Sequence, residues 1–166
     1  MFYIIKNIQL NKINFLNKNK IILFIRMFSF FENQKRKYVG FEDIKYIINN
    51  NKFLLINTLH SNNQNLLIKN TTHIDQEEKI INDLISDYKT PDKSIIIYGK
   101  NSCDMTVIEK YDQLYKLGLR ELYIYGGGLF EWLLLNEIYG HNEIPLNHEN
   151  FTINDILKYR EPLILQ

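Results

Sequence analysis

Three short apolar runs, spaced by longer segments of helical period, constrain this chain more than anything else in it. They are "KFLLINTL" (52–59), "KSIIIYG" (93–99) and "RELYIYGGG" (120–128). The first is apolar throughout rather than alternating, as expected of a strand covered on both faces. Between and after them the period changes. Phe41, Ile44, Ile47 and Ile48 share one helical face, and so do Ile80, Ile81, Leu84, Ile85 and Tyr88. Val107, Ile108, Tyr111, Leu114 and Tyr115 form a third such stripe, with Gly118 as its C-terminal stop. "LFEWLLLNEIYG" (129–140) reads as a strongly apolar helix ending at Gly140. Asp75 stands three residues before Glu78, like the opening of a capping box. "NLLIKNT" (65–71) reads as a further short strand, and "KTPD" (89–92) as a break. Strand and helix alternating at this spacing predict a three-layer α/β domain, with a mainly parallel central sheet and helices on both faces.

The boundaries follow from composition. Met1–Phe31 contains no Asp or Glu but carries Lys6, Lys12, Lys18, Lys20 and Arg26. Residues 1–37 are therefore expected to be a poorly ordered extension or sequence upstream of a start at Met27; a transit peptide is the third reading. Residues 38–140 form the domain. Residues 141–166 add a short helix, with Thr152 as N-cap and Asp155 in its first turn. Lys35-Arg36-Lys37 reads as a solvated linker.

Several classes of function are excluded early. A formal net charge of +1 over 166 residues offers no field for nucleic acid. No apolar run approaches the roughly 20 residues of a membrane span. The four histidines, His60, His73, His141 and His148, lack metal-ligand spacing, so neither a metal nor a cofactor is expected. "GGG" at Gly126–Gly128 lacks the Gly-Lys-Ser/Thr of a phosphate loop and is read as a tight strand-to-helix turn. The lone cysteine, Cys103, cannot form an intramolecular disulfide. That suits a reducing compartment, the cytoplasm first, with organelle targeting by the N-terminal segment left open. The abundance of Asn, Ile and Lys reads as codon bias in an AT-rich genome.

The order of signals resembles a known family. "YVGFEDI" is similar to its hydrophobic-Ser-x-x-Glu-Leu start. An apolar strand and "IKNT" follow, then "IIIYG" with a loop and helix, then "KLG". "YIYGGGLFEWL" is similar to its closing Gly-Gly-x-x-x-Trp, with Gly127, Gly128 and Trp132 in those places. Over Tyr38–Tyr139 the chain thus resembles the rhodanese-like domain. "YGKNS" and "GGLFEWLLL" further resemble members encoded by large DNA viruses. The resemblance implies a sulfurtransferase fold whose active loop follows the central strand. In that family a cysteine directly after hydrophobic-Tyr carries a persulfide, within a ring of backbone N–H groups.

Here the chain departs from the pattern. Tyr98 is followed by Gly99, and the loop runs Gly99, Lys100, Asn101, Ser102, Cys103, Asp104, Met105, Thr106. Cys103 arrives four residues late. As a candidate nucleophile it lies near a helix start, with Lys100 to add positive charge. Against this, Asp104 is adjacent, and a carboxylate there disfavours a thiolate and repels anions. The competing expectation is a part-buried thiol acting as a small hydrophobe. Asp104 is expected to cap the helix, its carboxylate taking the place an anion would occupy. Lys100 and Asn101 read as exposed turn residues, and Trp132 as core. Where the family's second-strand loop often supplies Asp and Arg, Asn57 and His60 are the possible loop neighbours here.

Two readings follow. The first is a degenerate rhodanese-like domain without sulfurtransferase activity, a binding or regulatory module with an unknown protein partner. The alternative is a sulfurtransferase or redox enzyme using Cys103 as a relocated persulfide carrier, its ligand a small sulfur-containing anion. Phosphatase or arsenate-reductase chemistry would also need a cysteine at the loop's start and an arginine near its end.

Overall fold

A computed structural model of the chain describes residues 35–50, 52–86, 93–148 and 150–162. Arg36–Gln166 forms one compact unit. The expectations for Met1–Gln34, Tyr88 and the "KTPD" break lie outside the described residues.

The apolar runs become parallel strands. They are β2 (Phe53–Asn57), β3 (Ser94–Tyr98) and β4 (Leu122–Tyr125); a two-residue strand outside those runs, β1 (Tyr38–Val39), joins them beside β4, in one sheet of order β1-β4-β3-β2. Side chains alternate across it. Leu54, Ile56, Ile95, Ile97, Leu122 and Ile124 enter one core layer, while Leu55, Ile96, Tyr98 and Tyr125 enter the other. Burial on both faces explains why these runs are apolar throughout, since every second residue would otherwise be polar.

Among the described residues five helices cover the faces: α1 (Phe41–Ile47), α2 (Ile74–Ser86), α3 (Thr106–Lys116), α4 (Gly128–Tyr139) and α5 (Ile153–Lys158). Ile81 of α2 and Val107, Tyr111 and Leu114 of α3 close the first core layer. Ile44 and Ile47 of α1, Leu129, Trp132 and Leu133 of α4, and Ile156 of α5 close the second. Each such side chain contributes about 1.5–3 kcal/mol by leaving water. The three-layer α/β architecture predicted from the sequence is thus present. Trp132 is fully buried, its ring edge-on to Tyr125, and its Nε1 donates to Pro145 O at 3.1 Å. Beyond Gly140, Ile144, Leu146 and Tyr159 enter the same core layer.

Some local expectations need correction. Residues 65–71 form no strand; Ile68 makes a single antiparallel bridge to Leu146, and Thr71 a parallel one to Leu55. Between them Asn70 adopts a positive φ of 62° and donates from Nδ2 to Ile48 O at 2.6 Å, turning the chain before a ladder can grow. Asp75 lies inside the first turn of α2 rather than before it, and its N–H points to His73 Nδ1 at 3.4 Å. The basic run is tethered rather than a solvated linker. Arg36 grips both oxygens of Asp112, Lys37 pairs with Glu121, and Lys37 O accepts from Ile124 N at 2.9 Å. The expected cap of α5 is present: Asp155 Oδ2 accepts from both Thr152 N and Thr152 Oγ1 at 2.8 Å.

Candidate functional site

The loop from Gly99 to Met105 leaves the C-terminal end of β3, a central strand, and enters α3. In open parallel sheets this edge is where ligands gather. Its own groups organise it. Asp104 Oδ2 accepts from Lys100 N at 2.9 Å, and Asp104 Oδ1 accepts from Thr106 N at 3.1 Å. The same Oδ1 takes the Thr106 hydroxyl at 2.7 Å. The carboxylate therefore caps α3 and closes the loop at once, satisfying N–H groups that would otherwise be orphaned.

Gly99 faces that carboxylate. A Cβ at position 99 would lie 2.5 Å from Asp104 Oδ2 and 2.6 Å from Val107 Cγ2. Both are well inside van der Waals contact, so the space beside the strand end holds the Asp104 carboxylate in place of any side chain of residue 99.

The loop's carbonyls point the other way, onto the start of α4. Gly99 O accepts from Leu129 N at 2.9 Å, and Lys100 O accepts from Phe130 N at 2.8 Å. Gly128 makes this approach possible. Its φ is +63°, and a Cβ there would meet Asn101 N and Gly99 O at 2.8 Å each. The glycine turn brings loop and helix backbones together, and the first N–H groups of α4 are occupied by the loop.

Asn101 corrects the expectation of an exposed turn residue. It is buried, and its Nδ2 donates to Tyr159 O at 2.7 Å and Arg160 O at 3.1 Å. Its Oδ1 accepts from Cys103 N at 3.0 Å. Asn101 thus staples the loop to the end of α5, and Ser102 adds a hydrogen bond to Glu161. Cys103 is exposed, not the part-buried hydrophobe considered from sequence. With Lys100 it lines a cleft of about 540 Å³, opposite Lys158, Arg160 and Glu161. Lys100 is exposed as expected, and Met105 is exposed as well.

The second-strand residues divide. Asn57 is buried and spends its amide on the connection after β2, through reciprocal bonds with Gln64 at 2.9 and 3.1 Å and acceptance from Leu59 N at 3.0 Å. His60 is exposed and caps the single turn Ser61–Asn63, accepting from Asn62 N at 3.4 Å. Thr58 is the residue that reaches the loop, its Oγ1 2.8 Å from Thr106 Oγ1. Residue order alone does not reveal this, because a threonine at a strand end is ordinary.

Beneath the loop, the Tyr98 phenol lies 2.9 Å from Thr71 Oγ1, and burial pushes its pKa well above the ordinary phenol range. Tyr125 is shifted the same way, first by burial and then by the Glu131 carboxylate. Both rings stay neutral supports rather than proton donors near pH 7. Among the described residues no three His, Cys, Asp or Glu side chains cluster as metal ligands, and no helix is long and apolar enough to cross a membrane.

No protein-family model matches the chain, and no curated protein matches it. Among solved structures, it is similar to BH2092 from Bacillus halodurans at 12% identity and a TM-score of 0.49, covering 72% of this chain and 82% of that one. A protein from Lactobacillus plantarum is similar at 18% identity and a TM-score of 0.47, covering 80% of this chain and 99% of that one. The single-domain sulfurtransferase RDL2 of Saccharomyces cerevisiae is similar at 16% identity and a TM-score of 0.42, covering 68% and 97%.

Proposed function

We propose that this chain is a degenerate rhodanese-like domain without sulfurtransferase activity, working as a binding or regulatory module in a reducing compartment. The observation that carries the reading is the carboxylate of Asp104 seated beside Gly99. By the family resemblance, Gly99 stands where the persulfide cysteine belongs, and the loop's N–H groups would receive the transferred anion. Here Lys100 N donates to Asp104 instead, and a fixed negative charge fills the seat. An anionic sulfur donor would have to displace a carboxylate held by three hydrogen bonds.

One observation favours the alternative. Cys103 is exposed on a cleft that also presents Lys100, Lys158 and Arg160, cations suited to a small sulfur-containing anion. The test treats the purified chain and its Cys103→Ser variant with thiosulfate or 3-mercaptopyruvate and cyanide, with mass spectrometry for a persulfide. We expect no thiocyanate above the protein-free rate. A persulfide on Cys103 that forms, turns over and disappears in the variant would overturn the module reading.

A further inference from the structure

A groove of about 670 Å³ lies between α2 and α3, away from the cleft that Cys103 lines. Its residues recur at helical spacing. Ile74, Glu77, Glu78, Ile81 and Asn82 line it from α2; Thr106, Glu109, Lys110, Gln113, Leu114 and Leu117 line it from α3. These are one face of each helix, so the groove runs the length of α3, whose 11 residues span about 16 Å. Its floor is apolar and buried, formed by Leu59, Ile81 and Leu114. Ile74 and Leu117 leave apolar surface exposed at its lips.

Charge on the rim is one-sided. Glu77 and Lys110 pair across the groove and cancel. Glu78 and Glu109 remain, exposed and without an ion pair among the described residues. A groove three helical turns long, with exposed Ile74 and Leu117 at its lips and two unbalanced carboxylates on its rim, complements one kind of partner. We propose that this groove docks a basic amphipathic helix of a partner protein, about three turns long, with aliphatic side chains at i, i+3, i+4 and i+7 and Lys or Arg flanking them. The guest would pack as a third helix on this face, its cations meeting Glu78 and Glu109. The proposal goes beyond the module reading and does not depend on it, since a sulfur-transferring chain could carry the same groove.

The inner end of the groove reaches the loop. Thr58 and Thr106 line it, and Thr106 also holds Asp104. A docked helix would therefore rest against the residues that close the loop.

The test uses the full chain and a fluorescein-labelled 14-residue peptide of Leu, Lys and Ala with Leu at helical spacing, read by fluorescence anisotropy. Two control peptides replace Lys by Glu, or scramble the order at fixed composition. We expect saturable binding of the first peptide and at least about ten-fold weaker binding of both controls. Reversing both rim charges, Glu78→Lys with Glu109→Lys, should weaken binding about ten-fold with Tm unchanged. Asp75→Lys, exposed on α2 but outside the groove, should leave it within about two-fold. Backbone amide shifts on adding peptide should concentrate in α2 and α3. Absence of saturable binding, equal binding of the scrambled peptide, or indifference to the rim reversal would overturn the proposal. The sulfur-transfer assay reads a different site, so failure of either idea is distinguishable from failure of the other.

Discussion

Replacing Gly99 by alanine tests the central geometry with one methyl group. Gly99 lies outside the left-handed region, where only Gly118, Gly128 and Gly140 have positive φ among the described glycines. At such a position Gly→Ala ordinarily stabilises by about 0.4–1 kcal/mol, through a less flexible unfolded chain. Here the new Cβ would stand 2.5 Å from Asp104 Oδ2 and 2.6 Å from Val107 Cγ2. Neither neighbour yields easily, because the carboxylate is tied to Lys100 and Thr106 and Val107 is buried in the core. Overpacking of this kind costs about 1–3 kcal/mol, more than the entropic gain. We therefore expect Gly99→Ala to destabilise by about 1–2 kcal/mol, lowering Tm by roughly 3–8 °C. Urea unfolding of the two single variants and the pair completes a cycle with Asp104→Ala. That variant alone should cost about 1 kcal/mol as a lost helix cap. With the carboxylate gone and Val107 still present, relief should be partial, giving a favourable coupling of about 1 kcal/mol. A neutral or stabilising Gly99→Ala, or additivity within about 0.5 kcal/mol, would refute the claim that Asp104 fills the space beside Gly99.

Asn101→Ala should cost about 1–3 kcal/mol, because it strips the donor from two carbonyls of the C-terminal segment; hydrogen exchange should quicken in residues 153–160 before the sheet. Because Cys103 is exposed, Ellman's reagent should titrate one thiol per chain without denaturant; a thiol silent until urea is added would contradict its placement. Tyr98 and Tyr125 have folded pKa values raised above the ordinary 10.0. Their contribution is complete below pH 10 and is lost as pH rises beyond it, where the unfolded chain ionises first. The urea midpoint should therefore fall between pH 9 and pH 11, and an unchanged midpoint would argue against buried phenols.

Much of the fold was legible because its signals are local and repeated. A strand buried on both faces must be apolar throughout, so "SIIIY" could be little else. Val107, Tyr111 and Leu114 fall on one helical face because the sheet lies on that side alone. Gly118 and Gly140 mark helix ends because their φ values, 101° and 83°, suit glycine. The 65–71 run misled for a related reason. Leu66, Leu67 and Ile68 are apolar because they pack into the core, and packing does not require a ladder. Asn70, which ends the run, uses a side chain to reach Ile48, a contact 22 residues away.

The site was legible only in the part that depends on neighbours in sequence. Asp104 bonding Thr106 is an i to i+2 relation, so a helix cap could be read from residue order. What that carboxylate excludes could not, because the clash with Gly99 appears only once the loop has closed on itself. The same holds for Gly128 and for the Nδ2 of Asn101, whose partners lie 27 or more residues away in the chain. Gly128 is glycine because the loop backbone passes 2.8 Å from where its Cβ would be. Asn101 is asparagine because two carbonyls arrive from 58 and 59 residues downstream. Each of the three residues therefore fits a gap set by another segment, and none is interchangeable with its neighbour. That interdependence bears on how such a loop could accept a new side chain at the strand end. A side chain at position 99 crowds Asp104, and moving Asp104 away to make room uncaps α3 and frees Lys100 N. Placing a thiol at the strand end without strain is thus a change of at least two residues, with a less stable loop as its first step.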